Sequence, residues 1–254
     1  MLKWFSADLH IHTVLSPCAE LDMGPINIVE TAGKLGLDII GITDHNSAAN
    51  VAAVMDRAAQ KDLVVIGGVE VQTREEVHVL CLFPDLDQLL AYAVFIRERL
   101  PRVPNRPEVF GDQVVVNGEE EILYFEKTLL ISSVTASLEE VVAEALTYGG
   151  LVIPAHVDRP SFSILSNLGF VPPELAVAAL EIAWPERMPD ILSRYPDLEQ
   201  YCFVSFSDAH TISQLKRGFC TYFYLQEPTF IEIKKALAGH EGRKVVIGPL
   251  SEVN

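Results

Sequence analysis

Imidazoles and carboxylates recur at the ends of short apolar runs: His10 and His12 in ADLHIHT, Asp44 and His45 in GITDH, Glu70 in GGVEV, His78 in VHVLCLF, His156 in IPAH, and Asp208 and His210 in FSDAH. If the first run is a strand, His10 and His12 share a face, about 7 Å apart along the backbone, close enough to converge on one ion. Without paired thiols, such a set suits Zn²⁺, Mn²⁺ or Fe²⁺ rather than Ca²⁺ or an iron–sulfur cluster. The candidate ligands His10, His12, His45, Glu70, His78, His156, Asp208 and His210 exceed what one tetrahedral or octahedral ion takes. Their number implies two or three divalent ions, with Glu70 as the bridging carboxylate. A lone histidine beside a strand is more often a packed core group, and Asp-His pairs also cap turns. The joint pattern over five strand ends decides for metal.

The elements that must position these groups alternate between β-rich runs and amphipathic segments, the rhythm of βα units around a parallel sheet. Strands are expected over 4–12, 37–45, 63–71, 77–83, 149–156, 178–184, 201–210 and 244–248, and helices over 25–36, 47–60, 137–150 and 228–240. Pro25 and Pro228 near helix starts, and Ser137 with Glu140 as a capping box, support the helices. In parallel barrels the loops at the C-terminal strand ends form one mouth, so six of the seven histidines fall into one expected ring. Proline-rich LPRVPNRPEVF and then GDQVVVNGEEEIL break the rhythm from about 100 to 135. Asn117-Gly118 between β-formers predicts a β-hairpin insertion around 108–134.

A chain of 254 residues, 49% hydrophobic and 21% charged, has the composition of a globular α/β domain, and residues 1–254 read as one domain. A net charge of −16 argues against an extended basic surface for gripping nucleic acid, an argument that bound divalent cations weaken. No apolar run approaches the roughly 20 residues of a membrane span. Asp8 arrives before a secretory apolar region could form, and four cysteines without a paired framework read as reduced. A cytoplasmic protein without a membrane partner is expected.

These residues resemble the motifs of the PHP superfamily, the polymerase and histidinol phosphatase metal-dependent phosphoesterases. Asp8 to Thr13 looks like D-x-H-x-H-T, Gly41 to His45 like G-x-T-D-H, and Gly68 to Glu70 supplies G-V-E. Pro154 to His156 and Ser207 to His210 resemble the remaining motifs, so the likeness spans roughly 7–212 in the family's order. It implies a distorted (β/α)7 TIM-like barrel with a trinuclear metal centre in its mouth. By motif position, His10, His12, Glu70 and Asp208 would hold one ion and share in a bridged pair. His45, His78 and His156 would complete the others, with His210 joining from the last motif. Glu70 and His78 stand eight residues apart, as in compact stand-alone phosphoesterases.

The chain departs from the pattern at Ser16-Pro17-Cys18, where many members carry Ser-Asp-Gly with an acidic ligand. Glu20 or Asp22, Cys18 as thiolate, or water would fill that position. The implied chemistry is attack on a phosphoester by a hydroxide bridging divalent ions, with Asp208, or a metal-bound water that it orients, managing the proton. Asp8 and Asp44 would orient the histidines beside them. Arg159, in PAHVDRP, is the leading cation for phosphate, with a salt bridge to Asp158 as its alternative; Lys216 or Arg217 comes next. Trp184 is either a wall of the mouth or a packed strand-end residue.

The expected substrate is a small phosphorylated metabolite or nucleotide. A 5′-3′ exonuclease acting on short RNA or DNA is the second enzyme reading, and a non-catalytic metal-binding module the third, disfavoured by the full ligand set. C–N hydrolysis on a similar barrel would call for a lysine ligand at a central strand end, which the sequence does not offer.

Overall fold

The computed structural model describes residues 1–216 and 220–248. In chain order the elements begin β1 (Lys3–Ile11), α1 (Pro25–Leu35), β2 (Ile39–Ile42), α2 (Val51–Ala58), β3 (Val64–Gln72), β4 (His78–Leu82) and α3 (Leu86–Arg99). Then follow α4 (Pro107–Phe110), β5 (Val114–Val116), β6 (Ile122–Phe125), α5 (Leu138–Thr147), β7 (Leu151–Pro154), α6 (Ile164–Asn167) and β8 (Leu180–Glu181). The chain continues through α7 (Met188–Arg194), β9 (Phe203–Val204), β10 (Thr221–Leu225), α8 (Phe230–Leu237) and β11 (Lys244–Ile247).

Local chemistry accounts for the helix ends. Proline opens α1 and Gly36, at φ 68°, closes it; Asp85 caps α3 by accepting the Gln88 N–H at 2.9 Å. Ser137 and Glu140 form the capping box of α5. No helix among the described residues is long and apolar enough to cross a membrane.

Seven strands form one curled sheet in the order β11-β10-β1-β2-β3-β4-β7. β1, β2 and β3 are parallel, but β4 is antiparallel to both its neighbours, and β10 and β11 add antiparallel strands beside β1. The regular βα rhythm therefore fails at β4, because the connection from Gln72 to His78 is too short for a crossover helix and must turn back. Beyond β7 the backbone bonds continue: Ala178 donates to Val152 O and Val157 to Glu181 O, each at 2.8 Å, and β8 pairs in parallel with β9. An isolated parallel bridge, Ile11 to Ala209, brings the segment after β9 back to β1.

Side chains on one face of β3 and β4 explain how apolar structure gives way to a polar site. Gly68 pairs with Leu82, Glu70 with Leu80 and Gln72 with His78. By period two, these residues and Ile66 share a face. Ile66, Leu80 and Leu82 pack with Leu9, Ile153 and Phe206 in one apolar cluster, and Glu70, Gln72 and His78 are the next rungs toward the strand ends. The second, larger cluster lies on the other face, where Ile40, Val69, Val71 and Cys81 meet Val29, Val54 and Leu89 of the helices.

The insertion contains the two-stranded antiparallel β5–β6 sheet, tied to the loop after β1 by Val114 N–H to Val14 O at 3.1 Å. Asn46 donates from Nδ2 to the carbonyls of Leu130 and Ser132, at 2.7 and 2.9 Å. The segment therefore walls the ends of β1 and β2.

Gly41, on β2, has a packing reason. A Cβ there would lie 2.5 Å from Leu9 O and 2.6 Å from Leu9 Cα, both backbone atoms of β1. Gly41→Ala must push β1 and β2 apart and is expected to destabilise by about 3 kcal/mol. Thermal unfolding checks it; an unchanged melting temperature would refute this packing argument.

Candidate metal centre

Glu70 is the hub. Its Oε1 lies 2.9 Å from His78 Nδ1 and 3.3 Å from both His10 Nε2 and His156 Nε2. Its Oε2 lies 3.0 Å from His45 Nδ1 and 3.4 Å from His12 Nε2. Asp208 Oδ1 also stands 3.1 Å from His10 Nε2 and 3.1 Å from His12 Nε2. Five of the imidazoles and both carboxylates are buried, and His210 is partly exposed.

Hydrogen bonds fix which nitrogens face inward. Ser16 has one hydroxyl proton, which it donates to Asp44 Oδ1 at 2.7 Å. It must therefore accept from His12 Nδ1 at 3.0 Å, as it does from the His45 N–H at 3.2 Å. The lone pair of neutral His12 is then on Nε2, pointing at Asp208 and Glu70. His78 is turned similarly. Gln72 donates from Nε2 to Ser133 Oγ at 2.8 Å, leaving its Oε1 to accept from His78 Nε2 at 3.2 Å. His78 Nδ1 consequently presents its lone pair to Glu70.

Deprotonated, His12 turns the Nε2 lone pair to the carboxylate oxygens, 3.2 Å from His10 Nε2, which faces Asp208 Oδ1 at 3.1 Å. His45 Nδ1, His156 Nδ1 and Glu70 Oε2 are buried without hydrogen-bond partners. This convergence of imidazole nitrogens and carboxylate oxygens fits divalent cations, which take the place of imidazolium protons. Among the described residues the ligand atoms fall into three groups, each within 4.8 Å: His10, His12, Glu70 and Asp208; His45, Glu70 and His78; and His12, His45 and His210.

Electrostatics follow the same geometry. Burial opposes the charge of Glu70, but the imidazoles of His78, His10 and His45 outweigh it and hold its carboxyl well below the usual range. Burial likewise opposes protonation of His12, yet hydrogen bonds to Asp208 and Glu70 raise its pKa to about 9. His45 and His210, where burial and neighbouring imidazoles dominate, are lowered to about 4 and about 3. A ligand must shed its proton before it binds an ion. The apparent affinity for Mn²⁺ should therefore climb as pH rises from 6.5 towards 9, with proton release on binding. Calorimetry in buffers of different ionisation enthalpy checks this, and a pH-independent affinity would contradict it.

The backbone carries strain at the same place. His156 has φ 32° and Asp208 φ 48°, left-handed values that are costly for residues other than glycine and concentrate at functional sites.

Several expectations change. Cys18, Glu20 and Asp22 join none of the three groups; Cys18 is exposed, in a loop held by the Glu20 N–H to His210 O bond at 2.8 Å. Asp44 does not touch the ring of His45. It accepts from Thr13 N, Thr13 Oγ1 and Ser16 Oγ, each at 2.7 Å, and so reaches His12 through Ser16. Asp8 accepts from the backbone of His10 at 3.4 Å and Ser207 at 3.1 Å rather than from an imidazole, and burial raises its pKa to about 7. His156 belongs to none of the three groups and meets the cluster through Glu70 Oε1.

Arg159 does not pair with Asp158, whose carboxylate accepts the Ala183 and Trp184 N–H groups at 2.7 and 3.0 Å. Its guanidinium instead meets Asp208 Oδ2 at 2.6 Å. Arg159, Lys216, Trp184 and Asp208 line a cavity of about 210 Å³ beside the cluster. Arg187 lies over the Trp184 ring at 4.0 Å. Arg217 falls outside the described residues.

Glu181 is the site residue the motifs do not announce. It is buried on β8 with both carboxylate oxygens on His10 Nδ1, at 3.1 and 3.0 Å. The only sequence signal is a single carboxylate inside the apolar run AALEIAW.

The family model for the PHP domain matches residues 8–147, more than half of the chain, and the protein belongs to that family. No curated protein sequence matches it. Among solved structures it is similar to the lesion-specific endonuclease Q of Pyrococcus furiosus (TM-score 0.67, 20% identity), covering 96% of this chain and 58% of that one. It is also similar to endonuclease Q in complex with a 27-mer duplex substrate carrying an abasic lesion (TM-score 0.64, 21% identity, 95% of this chain and 58% of that one). A third is a proposed metal-dependent phosphoesterase from Bifidobacterium adolescentis (TM-score 0.59, 20% identity, 92% and 96%). The chain thus spans little more than half the length of the endonuclease. At these identities the likeness is one of fold.

Proposed function

We propose that the protein hydrolyses phosphoester bonds of a small phosphorylated metabolite or nucleotide with two or three divalent ions, Zn²⁺, Mn²⁺ or Fe²⁺. The observation that carries this reading is the buried convergence of His10 Nε2 and His12 Nε2 on Glu70 and Asp208, at 3.1 to 3.4 Å from their carboxylate oxygens. When bound, such ions lower the pKa of a coordinated water towards 7 and offset charge on the phosphoryl oxygens. His10, His12, Glu70 and Asp208 would hold one ion, with Glu70 bridging to the His45–His78 side; His210 and His156 would complete the set. We retain the reading of a distorted (β/α)7 barrel and a single PHP-like domain over 1–254. A cytoplasmic setting accords with Cys18, Cys81 and Cys202 being thiols.

The chain's own groups have distinct tasks in this reading. Asp208 faces the cluster with Oδ1 and the cavity with Oδ2, so it is the group to take or return a proton at the reacting centre. Arg159 offers its guanidinium fork to two phosphoryl oxygens. Asp44, through Ser16, keeps His12 turned inward. Arg159→Ala is expected to raise KM for a phosphoester about tenfold or more, with a smaller change in kcat; an unchanged KM would remove Arg159 from substrate binding.

Turnover on a panel of phosphomonoesters, nucleoside bisphosphates, cyclic phosphodiesters and 5′-phosphorylated oligonucleotides, with Mn²⁺, Zn²⁺ or Fe²⁺, tests the function. Cleavage of the small esters is expected. Turnover confined to oligonucleotides would favour the nuclease reading, which the likeness to a duplex-bound endonuclease supports and the charge of −16 opposes. No turnover on any substrate would leave the binding-module reading.

A further inference from the structure

Glu181 is 1% exposed, and a carboxylate buried on β8 needs partners that satisfy it. Its partners lie on two other parts of the fold. His10, at the end of β1, points Nδ1 between the two carboxylate oxygens. His156, just beyond β7, donates its backbone N–H to Oε2 at 3.0 Å. The backbone carbonyl of Glu181 accepts the N–H of Val157 at 2.8 Å, so side chain and main chain grip consecutive residues.

An ionised carboxylate can only accept, so the proton of neutral His10 belongs on Nδ1, and its lone pair is on Nε2. That nitrogen lies 3.1 Å from Asp208 Oδ1 and 3.3 Å from Glu70 Oε1. The bond to His156 acts where the backbone is strained, at φ 32°, and supports a conformation that an unpartnered residue would relax. We infer that Glu181 is a positioning residue of the metal centre: it fixes the His10 ring with Nε2 inward and holds the His156 backbone in the turn that brings its imidazole to Glu70. It does for His10 what Asp44 does for His12 through Ser16. The inference rests on the metal-centre reading above.

The competing role is a structural bolt between β7 and β8. Glu181→Gln separates the two, because the amide keeps size and burial but puts a donor where one acceptor oxygen stood. Co²⁺ affinity by chelator competition, the visible Co²⁺ spectrum and the melting temperature of metal-stripped protein are measured for parent and variant. The expected result is Co²⁺ binding about 10- to 100-fold weaker, a changed Co²⁺ spectrum, and a metal-stripped melting temperature close to the parent's. Should Glu181→Gln not fold, Glu181→Asp carries the same comparison; it keeps acceptor-only chemistry at shorter reach and should also bind Co²⁺ more weakly. Parent affinity and spectrum in a folded variant would overturn the inference, whatever the melting temperature. A parent protein that binds no Co²⁺ would instead overturn the metal-centre reading, and the inference with it.

Discussion

Glu70→Gln should cost at least about 100-fold in affinity for divalent ions, the largest loss expected of any single substitution in the cluster. One carboxylate faces five imidazoles, His10, His78 and His156 on Oε1 and His12 and His45 on Oε2. The amide of glutamine keeps one acceptor and turns the other atom into a donor, so one of these two sets must face an N–H₂. It also removes the negative charge that favours two nearby cations. Chelator competition against the parent protein reads the effect directly. Equal affinity would show that Glu70 is a buried hydrogen-bonding group and not a ligand.

Asp208→Asn should lower kcat by about 10²- to 10⁴-fold while the protein stays folded. Asp208 serves both sides of the centre, with Oδ1 3.1 Å from His10 Nε2 and His12 Nε2 and Oδ2 2.6 Å from Arg159. Asparagine tolerates the left-handed backbone at φ 48° about as well as aspartate does, so a loss of activity would report chemistry, not strain. It cannot take up the proton and leaves Arg159 without its counter-charge. A circular dichroism spectrum and melting temperature like the parent's, with turnover lost on every substrate the parent cleaves, are the expected pair of results. Retained turnover would assign the proton to another group.

The cluster was legible in the sequence because most of its members end apolar runs, and a run that ends in a polar residue marks where a strand leaves the core. The direction of β4 was not, since period-two alternation reads the same in either direction. A clue lay in His78, which begins its strand instead of ending it; only an antiparallel strand brings its first residue to the mouth. α3 escaped notice because Leu90 and Val94 sit half exposed among its buried residues, blurring the apolar stripe. β9 is much shorter than the run 201–210 suggests, because the chain leaves the ladder after Val204 and turns through Asp208. The strand β10 lies outside the alternating βα pattern, pairing antiparallel with β1. Glu181 was hidden for a different reason. It stands alone in an apolar run, 171 positions from the imidazole it holds. Burial of a carboxylate has meaning only when its partner is known, and the fold supplies that partner.

Elemental analysis of the purified protein, paired with turnover on the phosphoester panel before and after chelation, tests the central claim most directly. Two or three divalent ions per chain, with hydrolysis that chelation abolishes and metal restores, is the predicted result. Fewer than two ions together with no cleavage of any ester on the panel would contradict it.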